Sequence, residues 1–277
     1  YPNTGDYTIS DFALNGLEGY LAYYENTGDT ERIRTDWAAM MRNLDWFHQL
    51  ADQRRDMLLD AEWDRKAGIK AHYGGFHGDL QIVKGHMDNT GIHCVFSCTY
   101  LIAMQSALIL AKAIGEEDDA RELRRRIAVL RRSISRAFWD PKKKCFADNQ
   151  RHRTHSIHCN LFPVRAGIVT KAQRAAIREY VARQLHCLFA NGYDPSGGAY
   201  TSPNFAFYIL DGLYRAGLTR TAEDMMRTGW GWALSQGMRT CPEYWTTRSS
   251  QCHAWSASPT YYLSRYVLGV HYPAAPD

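Results

Sequence analysis

The chain has 277 residues, 45% of them hydrophobic and 22% charged, with a formal net charge of only +4. That balance is ordinary for a globular domain and leaves room for a full core, since a fold of this size buries about three quarters of the surface its unfolded chain exposes. No stretch reads as long and apolar enough to span a membrane, and the basic run 121–136 carries apolar residues at helical spacing and no stacking aromatics, so it reads as a solvated helix face rather than a nucleic-acid surface.

Helical periodicity dominates from the start. Phe12, Leu14, Leu17, Leu21 and Tyr24 mark a first amphipathic helix, closed by Asn26-Thr27-Gly28. Asp29 or Thr30 caps a second helix that carries Ile33, Trp37, Met40, Met41, Leu44 and Phe47. From about Leu58 to Asn89 the chain is rich in glycine and histidine and reads as a long loop, of the kind that usually carries function. Residues 92–114 predict a buried helix, stopped by Gly115, with 118–138 as its amphipathic partner. Pro141 ends that partner, because the residue before a proline is pushed out of helical geometry. The alternation recurs in the pairs 158–166 with 171–185 and 205–216 with 221–236, and a last helix is expected from Cys252 or His253 to Leu268. No strand-rich region is visible, and 192–200 reads as a loop.

The whole chain, 1–277, therefore reads as one all-α domain of helix pairs, each with an apolar inner and a more polar outer helix. Concentric packing of such pairs brings their loops to one end of a toroid. Those loops hold most of the Trp, His and carboxylates. Aromatic rings beside carboxylates and amides suit carbohydrate, whose rings present apolar faces and polar edges. The seven cysteines are scattered, and Cys94 and Cys98, four apart on one helix face, suit buried thiols better than a disulfide. This leans towards a reducing compartment, and Tyr1 in place of Met points to a piece of something longer. His72, His77, His86, His93, Asp79 and Asp88 invite a metal reading, but their spacing follows no helical ligand pair; no metal and no cofactor are expected.

The densest constellation runs from Thr240 to Gly269. Glu243 stands beside Pro242, Tyr244 and Trp245, and His253 follows ten residues later with Gln251 and Trp255. A carboxylate among aromatics is partly desolvated, which favours proton transfer near neutral pH. The bland alternative pairs Glu243 with Arg239 or Arg248 and makes His253 a helix-end core residue.

The segment 240–269, with its Pro-Glu-Tyr-Trp and Gln-Cys-His-Ala-Trp-Ser stretches, resembles the closing part of bacterial α-L-rhamnosidase catalytic domains. Upstream, 6–8 with 23–29 are similar to that family's second hairpin, and 58–63 to its Asp/Trp loop; 155–160 and 202–205 follow in order. The resemblance implies an (α/α)6 toroid of the six-hairpin glycosidase type and an inverting hydrolase that removes terminal rhamnose from a glycoside or polysaccharide. It implies Glu243 as general base and His253 as a sugar contact. Trp63 and Trp245 are candidate platforms, Asp60 a candidate hydroxyl contact, and Asn160 and Asn204 candidate pocket lining. The family's acid-bearing loop of the first hairpin has no counterpart, so the toroid is expected to be incomplete at its N-terminus; Gln53-Arg54-Arg55-Asp56 looks similar but follows the wrong helix. The alternative functions are a polysaccharide lyase on the same toroid, whose product would absorb in the ultraviolet, and a non-catalytic carbohydrate-binding fragment.

Overall fold

The computed structural model describes residues 10–63, 87–185 and 201–270. Among these the chain is predominantly helical. The elements are α1 (Ser10–Thr27), α2 (Thr30–Asp52), α3 (Cys94–Ile114), α4 (Glu117–Phe138), the short hairpin strands β1 (Trp139–Asp140) and β2 (Cys145–Phe146), α5 (Ile157–Arg165), α6 (Lys171–Leu185), α7 (Pro203–Ala216), α8 (Thr219–Ser235) and α9 (Ser258–Tyr262). The expected 192–200 loop, and His72, His77, His86 and Asp79, lie outside the described residues.

Local chemistry explains most boundaries. Asp29 caps α2 by accepting from the Arg32 N–H at 2.9 Å. Ser156 and Ser202 do the same for α5 and α7. Gly115 stops α3 in the left-handed region, at φ 85°, where a side chain would be strained. The last helix differs from expectation. A single 3-10 turn, Ala254–Ser256, comes first, and α9 begins only at Ser258, continuing into a π-helical turn, Leu263–Val267. Pro259 is the reason: it has no N–H to give to an earlier turn, so it is accepted in the first turn of a helix and not in its middle.

Contacts sort the described residues into two compact units, one running to Trp139 without residues 87 and 88, the other made of those two and everything from Asp140 on. In the first, α3 packs along its hairpin partner α4 and against α1, and α2 borders α1 and α3. Helix α3 is in fact long and apolar enough to cross a membrane, which corrects the expectation that no stretch is. Its 83% burial among neighbouring helices identifies it as a core helix instead. In the second unit α5 packs on α7, α6 flanks α5, α8 flanks α7, and the closing turns also rest on α7. Cys94, Cys98, Cys145 and Cys159 are buried free thiols.

The basic helix α4 is not uniformly solvated. Arg126 turns inward and clasps both Asp52 oxygens at 2.7 and 2.9 Å, and also reaches Glu122 at 2.8 Å. Beneath it His48 Nδ1 meets the Tyr100 hydroxyl at 2.5 Å, both rings buried. Burial first, and then the Arg126 charge, push the His48 pKa down to about 4, against the opposing pull of Asp52 and Glu122. The folded protein therefore keeps this imidazole neutral where the unfolded chain protonates it. Its contribution is complete above pH 6.5, the ordinary value, and is lost as pH falls towards about 4. At about 1.4 kcal/mol per tenfold, that loss is about 3 kcal/mol. Urea unfolding at several pH values should show a shallower acid decline for His48→Gln than for the wild type. Parallel declines would contradict this.

Candidate active site

After α8 the chain doubles back on itself between Thr240 and His253. Glu243 N–H donates to Ser250 O, and His253 N–H to Cys241 O, each at 2.8 Å; the Thr240 hydroxyl donates to Gln251 O. The tip is a tight turn, with Thr246 N–H on Tyr244 O at 2.7 Å and Arg248 N–H on the Thr246 hydroxyl at 3.2 Å. Backbone and short hydroxyl bonds thus hold the loop that carries Glu243 and His253.

Those side chains face each other. His253 Nε2 lies 3.8 Å from Glu243 Oε1, with the carboxylate side chain 26% and the imidazole 32% exposed. The separation is an ion-pair distance and too long for a hydrogen bond. Among the described residues neither Arg239 nor Arg248 pairs with Glu243, so the bland alternative does not describe this carboxylate. The Nδ1 of His253 is buried and makes no hydrogen bond among the described residues. A buried polar atom left unmatched costs about 1–3 kcal/mol, which a ligand or water bound there would offset. Trp255 completes the group. Its ring lies 4.6 Å from the His253 ring and its indole N–H donates to Glu243 O at 3.2 Å. Sequence alone assigns the platform roles to other tryptophans; the His-x-Trp spacing is the available signal for this one.

Trp245 occupies a different environment. It is 2% exposed, donates its indole N–H to Thr201 O at 2.9 Å, and meets Trp230 edge-on at 5.1 Å between centroids. A Cβ on Gly229 would lie 2.8 Å from its ring, so α8 needs glycine there for the indole to fit. With no open face for a sugar, Trp245 anchors the loop tip in the core. Asn160, in α5, is also fully buried and its amide is spent. Its oxygen accepts from Phe146 N–H at 2.8 Å, and its nitrogen donates to Phe146 O at 3.2 Å and Ser156 O at 2.8 Å. It clamps β2 to the start of α5 rather than lining a pocket. Asn204 is half-exposed in the first turn of α7, just after the Ser202 cap.

Asp60 and Trp63 belong to the first unit. Asp60 bridges to Ile92 through its backbone, and its side chain accepts from Glu62 N–H at 2.9 Å. Trp63 packs edge-on against Trp46 at 4.6 Å, and its indole N–H is buried without a hydrogen-bond partner among the described residues. Nearby, Arg54 grips Asp56 with two bonds of 2.9 and 2.7 Å. Burial pushes the Asp56 carboxyl up, but Arg54 and the Leu58 N–H outweigh it and hold the group below the ordinary carboxylate range. An acid so fixed as a carboxylate is a poor proton donor. His93 is buried as the N-cap of α3, and the Asp88 N–H donates to Asp148 at 3.3 Å.

Comparison with curated protein sequences gives no match. Among solved structures, the chain superimposes on a family GH78 rhamnosidase of Bacillus sp. GL1 with TM-score 0.71 at 21% identity, covering 93% of this chain and 26% of that one. A rhamnosidase from Klebsiella oxytoca, with rhamnose bound, matches with TM-score 0.72 at 20% identity, over 95% and 48%. A GH63 mannosylglycerate hydrolase from Thermus thermophilus matches with TM-score 0.62 at 14% identity, over 94% and 78%. The chain therefore spans from about a quarter to half of the two rhamnosidases it matches. The family model of the bacterial alpha-L-rhamnosidase six-hairpin glycosidase domain matches residues 20–267. With most of its length in that match and the fold shared throughout, the chain belongs to the bacterial alpha-L-rhamnosidase six-hairpin glycosidase domain family.

Proposed function

We propose that this protein hydrolyses α-L-rhamnosides with inversion, Glu243 serving as the general base. The observation that carries this reading is the Glu243–His253 pair: a solvent-accessible carboxylate 3.8 Å from an accessible imidazole, on a loop held by its own backbone. Family membership supports the sugar class, and the rhamnose-bound Klebsiella structure supports the identity of the sugar. Glu243 takes a proton from a water as the water oxygen attacks the anomeric carbon. The glycosidic bond breaks, and a second carboxylic acid, about 6.5–9.5 Å from the base in inverting enzymes, protonates the departing oxygen. His253 hydrogen-bonds sugar hydroxyls, and Trp255 fixes its ring. Asn204, Asp60 and Trp63 are the remaining candidates for sugar contacts.

The fold alone does not choose the sugar, since the GH63 hydrolase shares it. The test is a panel of chromogenic aryl glycosides that includes the α-L-rhamnoside and the α-D-mannoside, with the first-formed anomer read by proton NMR. Free rhamnose appearing first as the β anomer is the expected result. Sugar binding without turnover, a first-formed α anomer, or an ultraviolet-absorbing unsaturated product would overturn it.

A further inference from the structure

Three side chains that the proposed reaction does not use converge where the chain leaves β1. Asp140 closes that strand, and His152 and His155 come from the loop between β2 and α5. One potential ligand atom from each lies within 4.8 Å of the other two. Asp140 Oδ2 and His155 Nε2 are 3.4 Å apart. Two corners of a tetrahedron with bonds of about 2.1 Å, as in zinc–imidazole and zinc–carboxylate pairs, stand about this far apart. At 3.4 Å the contact is long for a hydrogen bond. The His155 side chain is only 5% exposed, and its Nε2 is buried with no hydrogen-bond partner among the described residues, although it faces the carboxylate. A cation between the two atoms would satisfy both.

We infer that Asp140, His152 and His155 form a binding site for a divalent transition-metal ion of the zinc type, with a fourth position open to solvent. Two imidazoles and one carboxylate suit such an ion, whereas calcium and magnesium take oxygen ligands. The surroundings orient two of the three ligands. Asp140 Oδ1 accepts from the Lys142 and Lys143 N–H groups at 2.9 and 3.1 Å, which leaves Oδ2 directed at His155. The Tyr180 hydroxyl, from α6, donates to the His155 carbonyl. One group opposes the ion: Lys143 Nζ lies 3.3 Å from His155 Nδ1. Metal on Nε2 puts the proton on Nδ1, which cannot then face an ammonium. Lys143 is exposed, and binding must turn it outward. The bound ion would tie the 147–155 loop to the β1–β2 hairpin directly ahead of the α5 cap. Sequence spacing does not reveal the cluster, because it draws attention to the histidines of 72–93 instead.

The test is Co²⁺ titration of chelator-treated protein, followed by visible absorption, with Zn²⁺ and Ca²⁺ as competitors. One equivalent should give the intense bands of a tetrahedral site, displaced by Zn²⁺ and not by Ca²⁺. His152→Ala and His155→Ala should each weaken binding at least tenfold. Lys143→Ala should tighten it several-fold, and this variant of an exposed residue decides the matter if the histidine variants fail to fold. A Cys241→Ser/Cys252→Ser double variant, removing the more accessible thiols among the described residues, should bind as the wild type does. No stoichiometric binding, indifference to the histidine substitutions, no tightening in Lys143→Ala, or loss of the signal with the two cysteines would each overturn the site.

Discussion

Glu243→Gln is expected to lower kcat on an aryl α-L-rhamnoside by about 10²- to 10⁴-fold, the usual contribution of a positioned general base. KM should change little, because the interaction lost is one made in the transition state rather than with bound substrate. Folding should survive. Glutamine is isosteric with glutamate, and the loop is held at this position by backbone: the Glu243 N–H on Ser250 O and the Trp255 indole on Glu243 O. Steady-state kinetics and a thermal melt on the same preparations separate the two effects. A glutamine variant within tenfold of the wild-type rate would remove Glu243 from the role. A variant equally slow but with a lowered Tm would leave the loss attributable to folding.

Trp245→Ala, two residues along the same loop, should act mainly on stability. Truncating a fully buried tryptophan costs about 3–5 kcal/mol, and three features place Trp245 in that class. It is almost completely buried, its indole N–H is committed to Thr201 O, and its ring sits against the bare backbone of Gly229 and the edge of Trp230. Alanine would leave a cavity there and strip the Thr201 carbonyl of its donor. Urea denaturation should move the midpoint down without changing the slope. Were Trp245 a sugar platform, the same substitution would leave stability unchanged and raise KM. Trp245→Phe separates the parts, keeping much of the volume while losing the hydrogen bond, at about 1–3 kcal/mol for the unmatched carbonyl.

These two residues mark how far the sequence was legible. Helix positions came through because their causes are local. Apolar residues three and four apart define a face, Asp29 and Ser202 cap the helices that start beside them, and Gly115 takes a backbone angle that other residues resist. Pro259 is equally local, and its weight against a continuous last helix was readable from its position alone. The motif around Glu243 and His253 was also visible, since its residues lie within eleven positions of each other.

Which tryptophan is buried and which touches the pair was not local. Trp245 and Trp255 flank the same histidine in similar company, yet one is sealed by Thr201 and Gly229, 44 and 16 residues away, and the other is left beside His253. Asn160 reads as pocket lining from sequence, yet Phe146 of β2 and the Ser156 carbonyl together take up its amide, and Asp140 meets His155 only because the β1–β2 hairpin turns the chain back. Sequence by itself determined most of the helices, the cap of the second and the motif, because backbone preference and periodicity act over a few residues. Only the tertiary structure decided which polar and aromatic groups remain available for chemistry, because that depends on what distant segments bury and which hydrogen bonds they take up.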